Sequence, residues 1–437
     1  MDPTTIAVLC VALVFFLILF GAQIGVALAA VSVIGIWAMT GKFQIAINLL
    51  QTTCYSAVMD YVFAVVPLFI LMGLFSTMSG ATAELFVSAQ LLMGRIRGGL
   101  GIATVLANAV FAAITGVSIA SAAVFSKIAL PEMNRHHYDP KFSLGIVATS
   151  AILGMLIPPS MLMIVYGVLT EQSIGRLFVA GIIPGLIVTV VLSLGIYIRV
   201  RINPKLGGQI AEKKSLGFSE LIKIAATPWA VLLLIATVMG GIWGGVFTPT
   251  EAGAVGAAGA FLLVVFKRKY SHRLLWQVLL DTGKTTASIF LLLICAQMFS
   301  RMLTISGLTQ KISLWASLLP VPPIFVIFGF IIVFIVLGCI IDSTSILLLT
   351  IPIMHPVIEK LGFDPIWFAI VAIFSIEIGL ITPPFGMVIF SMKSAIDEEI
   401  EIAEIFAGSF PFLLLLLISL IIIIMFPALT IWLPSLM

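Results

Sequence analysis

The sequence predicts an all-α polytopic membrane protein, assembled as an inverted repeat with two re-entrant hairpins and two discontinuous helices. Three observations predict it: apolar blocks of membrane-spanning length, motifs that recur at an offset of 225 residues, and a proline pair inside an apolar run of each copy. Of the 437 residues, 61% are hydrophobic and 9% charged, and the mean hydropathy is +1.26. A soluble domain carries roughly a quarter of its residues as charges, so water-soluble classes are excluded. The blocks lack the two-residue alternation of barrel strands and so read as helices.

The apolar segments fall at 4–20, 22–39, 62–93, 98–133, 141–172, 176–199, 228–246, 250–266, 284–319, 322–358, 365–396 and 403–430. The opening "MDPTTIAVLCVALVFFLILF" has no basic stretch and no small-residue cleavage site, so it reads as a first span and not as a signal peptide. Residues 1–60 are expected to form N-terminal scaffold helices. Residues 61–200 form a first repeat, with hairpin 98–133 and broken helix 141–172. A polar linker at 201–226 precedes scaffold helices and the arm of the second repeat at 227–283. Residues 284–437 complete that repeat, with hairpin 322–358 and broken helix 365–396. The basic linker and "KRKYSHR" (267–273) belong in the cytoplasm by the positive-inside rule, with Arg95, Arg97 and the loop 134–141 on the same side. The turn 244–251 then lies outside.

The repeat rests on colinear matches. Pro158 meets Pro383, Gly154 meets Gly379, Asp139–Pro140 meets Asp364–Pro365, Pro131 meets Pro356 and Ser118 meets Ser343, all at an offset of 225. With a two-residue slip, "FVAGIIPGL" (178–186) matches "EIFAGSFPFL" (404–413), and Ser79–Gly80 matches Ser306–Gly307. Five crossings separate the two Asp–Pro loops, an odd number, so the copies face opposite ways. Charge agrees: 134–141 carries Arg135, Lys141 and two histidines, whereas 359–365 has Lys360 against Glu359 and Asp364. Inverted repeats of this kind are typical of secondary transporters.

In each copy a polar knot precedes the proline pair: Thr115–Gly116–Val117–Ser118 in the first, Asp342–Ser343–Thr344–Ser345 in the second. These read as hairpin tips at mid-membrane. A proline removes a backbone donor and breaks the helix, and broken backbone survives in a membrane only where something satisfies it. Helix C-termini offer carbonyls to a hard cation, and N-termini offer amides to an anion. Two tip-and-break pairs therefore imply at least two sites for a hard cation such as Na⁺ flanking one substrate site, with amides on offer to a carboxylate nearby. Asp342 in its tip is expected to contact ion or substrate. Glu377 is either a coupling group or a structural carboxylate. Arg301 and Lys284 read first as snorkelling or helix-end residues, with Arg301 a candidate for a substrate carboxylate. Glu251 follows Thr248–Pro249–Thr250 as a helix-capping acid. Cys10, Cys54, Cys295 and Cys339 have no metal or redox spacing and read as packing residues. The net charge of +3 is spread over loops, so nothing points to nucleic acid.

"GGIWGGVFTPTEAGAVGA" (240–257), "LGMLIPPS" (153–160) and "GLITPPFGM" (379–387) resemble signatures of the large membrane subunit of TRAP transporters, the DctM-like permeases. The resemblance covers essentially the whole chain. It implies an elevator-type transporter fold within the ion-transporter superfamily, in the bacterial inner membrane with both termini periplasmic. It also implies a separate small membrane subunit (DctQ-like) and a periplasmic substrate-binding protein (DctP-like), working together in Na⁺-driven import of an organic acid such as a C4-dicarboxylate or sialic acid. Carried over, the first Na⁺ site uses Thr115, Ser118, Gly154, Ile157 and Pro158. The second uses Gly338, Gly379, Thr382 and Phe385. Substrate falls to Asp342, Ser343, Thr344, Ser345, Ser160 and Arg301. Other members have a serine-rich first tip where this chain has Thr115 and Val117. A stand-alone di- or tricarboxylate carrier of the same superfamily is the alternative; a membrane enzyme or scaffold fits the residues less well.

Overall fold

A computed structural model describes residues 2–59, 61–94, 96–208, 224, 226–396 and 400–437. Residues 209–223 and 225 of the expected linker, and Arg95, lie outside the described residues. Among the described residues every regular element is a helix.

The two broken helices form the centre. Each begins in the same way: an aspartate caps it and a proline takes its first position, where a missing N–H costs nothing. Asp139 accepts from the Phe142 amide at 2.8 Å, and Asp364 from those of Ile366 and Trp367 at 2.8 and 3.0 Å. The first runs as Pro140–Ala151 and Leu153–Leu156, breaks, and resumes at Met161–Thr170. The second runs as Pro365–Gly379, breaks, and resumes at Met387–Ala395. Burial sets their place. In the span Pro140–Thr170, 83% of the most apolar stretch is buried, against 39–56% in the other long spans. Every residue from Ile366 to Gly379 is buried.

The outer helices carry the lipid-facing surface. On Ile174–Ile202 the exposed apolar side chains are Leu186, Val190, Leu194 and Ile198, one per turn along a single stripe. Ile402–Met425 shows a similar stripe with Phe410, Leu414, Ile418, Ile421 and Met425. In water such patches would aggregate; in a bilayer they are the solvated face. The chain is a multi-pass membrane protein.

Each hairpin is two antiparallel helices. Gly99–Thr115 and Ser118–Arg135 meet at Gly116, whose φ of +62° is the left-handed turn that glycine adopts freely. Pro323–Gly338 and Ser343–Lys360 meet over residues 339–342. The repeats interlock by exchange. The second arm of the first hairpin packs on Met387–Ala395, and that of the second on Met161–Thr170. The repeat-equivalent residues Tyr166 and Ser391 both bond across this boundary. The Tyr166 hydroxyl donates to the Pro365 carbonyl at 3.0 Å and lies 3.2 Å from His355 Nδ1, and the Ser391 hydroxyl donates to the Ile119 carbonyl at 3.1 Å.

Three differences from the sequence reading have physical reasons. Phe43–Met59 is a helix that no apolar block marks, because Gln44, Asn48, Gln51, Thr52 and Thr53 dilute its hydropathy. The block 62–93 is two helices, Tyr61–Met78 and Ala81–Met93, turned at Gly80 with φ +77°. Its counterpart divides in the same way at Gly307, φ +72°, between His272–Ser306 and Leu308–Leu318. That long helix starts before the apolar run at 284, since polar helix formers such as Arg273 and Gln277 extend it without adding hydropathy. Glu251 does cap its helix. Its carboxylate accepts from the Thr248 amide at 2.8 Å while the Thr248 hydroxyl accepts from the Glu251 amide at 3.3 Å, a capping box.

A close crossing lies between Pro140–Ala151 and Ile402–Met425. A Cβ on Gly408 would sit 2.0 Å from the Lys141 carbonyl oxygen, and one on Gly145 2.1 Å from that of Gly408. Small residues let membrane helices approach this closely. Gly408→Ala should therefore lower the thermal midpoint of the purified protein, with an overpacking cost of about 1–3 kcal/mol. Gly283→Ala, where nothing lies within 4 Å, should leave it unchanged or raise it. Equal melting of both variants would contradict this packing.

Candidate functional site: two hairpin tips on two helix breaks

The proline pairs Pro158–Pro159 and Pro383–Pro384, both joined by cis peptide bonds, sit inside the breaks. Lacking N–H groups, they leave the carbonyls of Gly154, Met155, Gly379 and Leu380 without their regular helical donors. At the second break local bonds take up some of this capacity: the Thr382 amide donates to Gly379 at 2.9 Å, and Val388 to Leu380 at 3.3 Å. Each carbonyl still keeps a second lone pair.

Glycines bring the tips onto the breaks. A Cβ on Gly154 would lie 2.8–2.9 Å from backbone atoms of Val117 and Ser118, and one on Gly116 would lie 2.5 Å from the Pro159 carbonyl oxygen. In the second copy, a Cβ on Gly379 would lie 2.6 Å from the Ile335 carbonyl oxygen and 2.7 Å from Gly338 Cα. One bond ties each tip to its break: the Met161 amide donates to Gly116 at 3.3 Å, and the Gly386 amide to Cys339 at 3.4 Å. The two copies thus share one device, a tip carbonyl held by the amide two residues past the proline pair.

The structure brings most of the expected site residues to these junctions. Thr115 ends the first arm, its hydroxyl donating to the Phe111 carbonyl at 3.0 Å. Ser118 and Ser160 are fully buried, and neither hydroxyl has a hydrogen-bond partner. Ile157 is extended between the helix end and Pro158. The Thr382 hydroxyl donates to the Ile378 carbonyl at 2.7 Å. Phe385 is 54% exposed, so only its backbone belongs to the break. Asp342 caps Ser343–Lys360, accepting from the Ser345 amide at 3.0 Å and from the Ser345 hydroxyl; Thr344 between them is half-buried. Arg301 is not brought to the tips. It lies on His272–Ser306, with its guanidinium 3.4 Å from the Thr52 hydroxyl and 3.5 Å from that of Ser56, on the helix Phe43–Met59.

Two features were not assigned to the site from sequence. A cleft of about 510 Å³ lies between the tips, lined by Ile119 of the first hairpin, Ile340 of the second, and Phe385, Met387, Phe390, Ser391 and Ser394. Ser391 and Ser394 carry no sequence signal, since isolated serines in an apolar helix are common. Glu377 is fully buried two residues before Gly379 at the second break, and neither of its carboxylate oxygens has a hydrogen-bond partner among the described residues.

An all-helical membrane protein whose halves each pair a hairpin with a broken helix has the architecture of a secondary transporter. Comparison with known proteins agrees. Residues 11–429 match the family model of the tripartite ATP-independent periplasmic transporter, DctM component. The C4-dicarboxylate TRAP transporter large permease protein DctM of Pseudomonas aeruginosa is 36% identical over 90% of this chain and 89% of that protein. The sialic acid TRAP transporter large permease protein SiaM of Vibrio cholerae is 31% identical, over 89% of this chain and 90% of its own. The crystal structure of the Alcanivorax borkumensis YdaH transporter aligns over 98% of both chains with a TM-score of 0.60 at 14% identity, a likeness of fold. The chain belongs to the DctM family of TRAP transporter large permease subunits.

Gly379→Ala should force tip and break apart, because the added methyl would meet backbone atoms of Ile335 and Gly338, which cannot swing aside as a side chain can. The expected result is protein that still reaches the membrane but loses most of its uptake. Wild-type uptake would show that the close approach is incidental.

Proposed function

We propose that this subunit imports a carboxylate by coupling it to at least two Na⁺ ions held at the two tip-and-break junctions. The observation that carries the reading is the repetition of the glycine-lined junction in both halves, each setting a hairpin tip against a break whose proline pair frees helix carbonyls. In the first site, Thr115 and Ser118 face Gly154, Ile157 and Pro158. In the second, Gly338 faces Gly379, Thr382 and the backbone of Phe385. Carbonyl and hydroxyl oxygens are the hard donors that an alkali cation requires.

Na⁺ bound at a junction fixes the tip against the break and so sets the shape of the cleft between the tips. A volume of about 510 Å³ is within the ordinary range for small-molecule sites. Asp342, Ser343, Thr344 and Ser345 belong to the second tip and Ser160 to the first break; the hydroxyls that line the cleft itself are those of Ser391 and Ser394. Arg301, on the outer helix, stands apart from these residues, against Thr52 and Ser56. The central broken helices and hairpins then slide as one body against the outer helices, an elevator movement. Each net positive charge carried inward gains about 2.3 kcal/mol per 100 mV, so Na⁺ in excess of substrate charge drives accumulation. A separate small membrane subunit and a periplasmic binding protein complete the system, which is placed in the bacterial inner membrane. The relatives named for C4-dicarboxylates and for sialic acid share the carboxylate, and that is the substrate class proposed here.

The test is uptake into liposomes holding this subunit with its small membrane subunit, using C4-dicarboxylates and sialic acid as probes. Uptake should require an inward Na⁺ gradient and an added binding protein, and the double change Pro158→Ala with Pro159→Ala should reduce it at least tenfold. Vigorous uptake without binding protein would favour the stand-alone carrier. Uptake indifferent to Na⁺ would overturn the coupling.

A further inference from the structure

The end of Ile174–Ile202 that leads into the basic linker carries a groove that the reading above leaves unused. Two cavities meet there. The deeper one, of about 410 Å³, lies between Ile102 and Leu106 of the first hairpin arm and Val190 and Leu194 of the long helix. The outer one, of about 470 Å³, is lined by Ile96, Arg97, Tyr197 and Arg201. Ile96 and Tyr197 border both, so the two make one groove with an apolar floor and a basic mouth.

Local structure accounts for both parts. On the long helix the lining residues Thr189, Ser193, Tyr197 and Arg201 recur every four positions, a stripe about 18 Å long at the helical rise. The two hydroxyls in it turn to their own backbone. Thr189 donates to the Gly185 carbonyl at 2.8 Å and Ser193 to that of Thr189 at 2.7 Å, which leaves the floor apolar. Glycine sets the mouth. A Cβ on Gly98 would lie 3.1 Å from the Val200 side chain and 3.2 Å from that of Ile196. This approach brings Arg97, next to Gly98, alongside Arg201, next to Val200. Both arginines are exposed, and the Arg201 guanidinium donates to the Tyr197 hydroxyl at 3.2 Å. None of the ion pairs among the described residues includes either arginine.

Two guanidinium groups on one recess repel unless an anion lies between them, and their planar forks match a phosphate. Below them the floor runs about 12 Å from Tyr197 to Thr189, close to the hydrocarbon depth of one leaflet, about 15 Å. A free anion would leave that floor empty. A helix, about 10–12 Å across with its side chains, is too broad for it, whereas an acyl chain fits. We propose that this groove holds an anionic phospholipid, its phosphate between Arg97 and Arg201 and one acyl chain along Ile102, Leu106, Val190 and Leu194. By the positive-inside rule the mouth opens in the cytoplasmic leaflet, where basic pockets between helices collect anionic headgroups. The proposal does not depend on cations at the tips. Because the lipid touches both the first hairpin arm and Ile174–Ile202, its binding strengthens the packing of one on the other.

The experiment is native mass spectrometry and thermal melting of the purified complex with its small subunit. The additives are phosphatidylglycerol, phosphatidylcholine with the same acyl chains, and inorganic phosphate. Phosphatidylglycerol should bind severalfold more tightly than phosphatidylcholine and raise the thermal midpoint further, and inorganic phosphate should leave it unmoved. Arg97→Gln combined with Arg201→Gln should bring phosphatidylglycerol down to the phosphatidylcholine level. Lys269→Gln combined with Arg273→Gln removes the same charge outside the groove and should keep the preference. Equal binding of the two lipids by wild type, or a preference unchanged in the Arg97 and Arg201 variant, would overturn the site. Stabilisation by inorganic phosphate equal to that by phosphatidylglycerol would mark a free-anion site and overturn the lipid. Should the double variant fail to fold, each single change should weaken the preference, and neither doing so would overturn the site equally.

Discussion

The close approach of a hairpin tip to a broken helix is the constraint on which the rest of this structure depends. A membrane interior offers no water to a freed carbonyl or amide, so a helix can be interrupted there only if another piece of backbone comes within bonding distance. Glycine makes that distance possible. At Gly154 against Val117–Ser118, and at Gly338 against Gly379, a single methyl would collide with main-chain atoms. The amides of Met161 and Gly386 then find the tip carbonyls of Gly116 and Cys339. Removing the tip would strand the break, and straightening the break would leave the tip without a partner.

Everything outside this pairing supports it. The aspartate–proline starts at 139–140 and 364–365 fix where each broken helix begins, and hence how deep its interruption lies. The exchange of hairpin arms between repeats, pinned by Tyr166 and Ser391, joins the two junctions into one body. The outer helices, with their apolar stripes turned outward, hold that body in lipid. Function on this view is a property of the seam and not of any catalytic side chain.

Much of this was legible in the sequence, for reasons that differ by element. Apolar runs mark helices because hydrocarbon selects composition, and the Pro–Pro, Asp–Pro and Ser–Gly motifs survive duplication because each answers a backbone need. Reading them at an offset of 225 disclosed both hairpins and both breaks. What was not legible depends on contacts between distant segments. Phe43–Met59 is held by packing and not by hydropathy. That Asp342 also caps Ser343–Lys360, accepting from the amide and hydroxyl of Ser345, follows from where that helix starts and not from composition. Arg301 was open between a snorkelling residue and a substrate contact, and its partners Thr52 and Ser56 sit on a helix about 250 residues away in sequence. That Glu377 is wholly buried beside the second break, with no partner for its carboxylate among the described residues, has no local signature at all.

The central claim, that both junctions hold cations, is tested most directly by imaging the full complex at high resolution in Na⁺ and again in K⁺ alone. The account predicts Na⁺-dependent density at two places, between Thr115–Ser118 and Gly154–Pro158 and between Gly338 and Gly379–Thr382, with the tips seated on the breaks. Tips seated identically in both salts, with no density between them and the breaks, would contradict it.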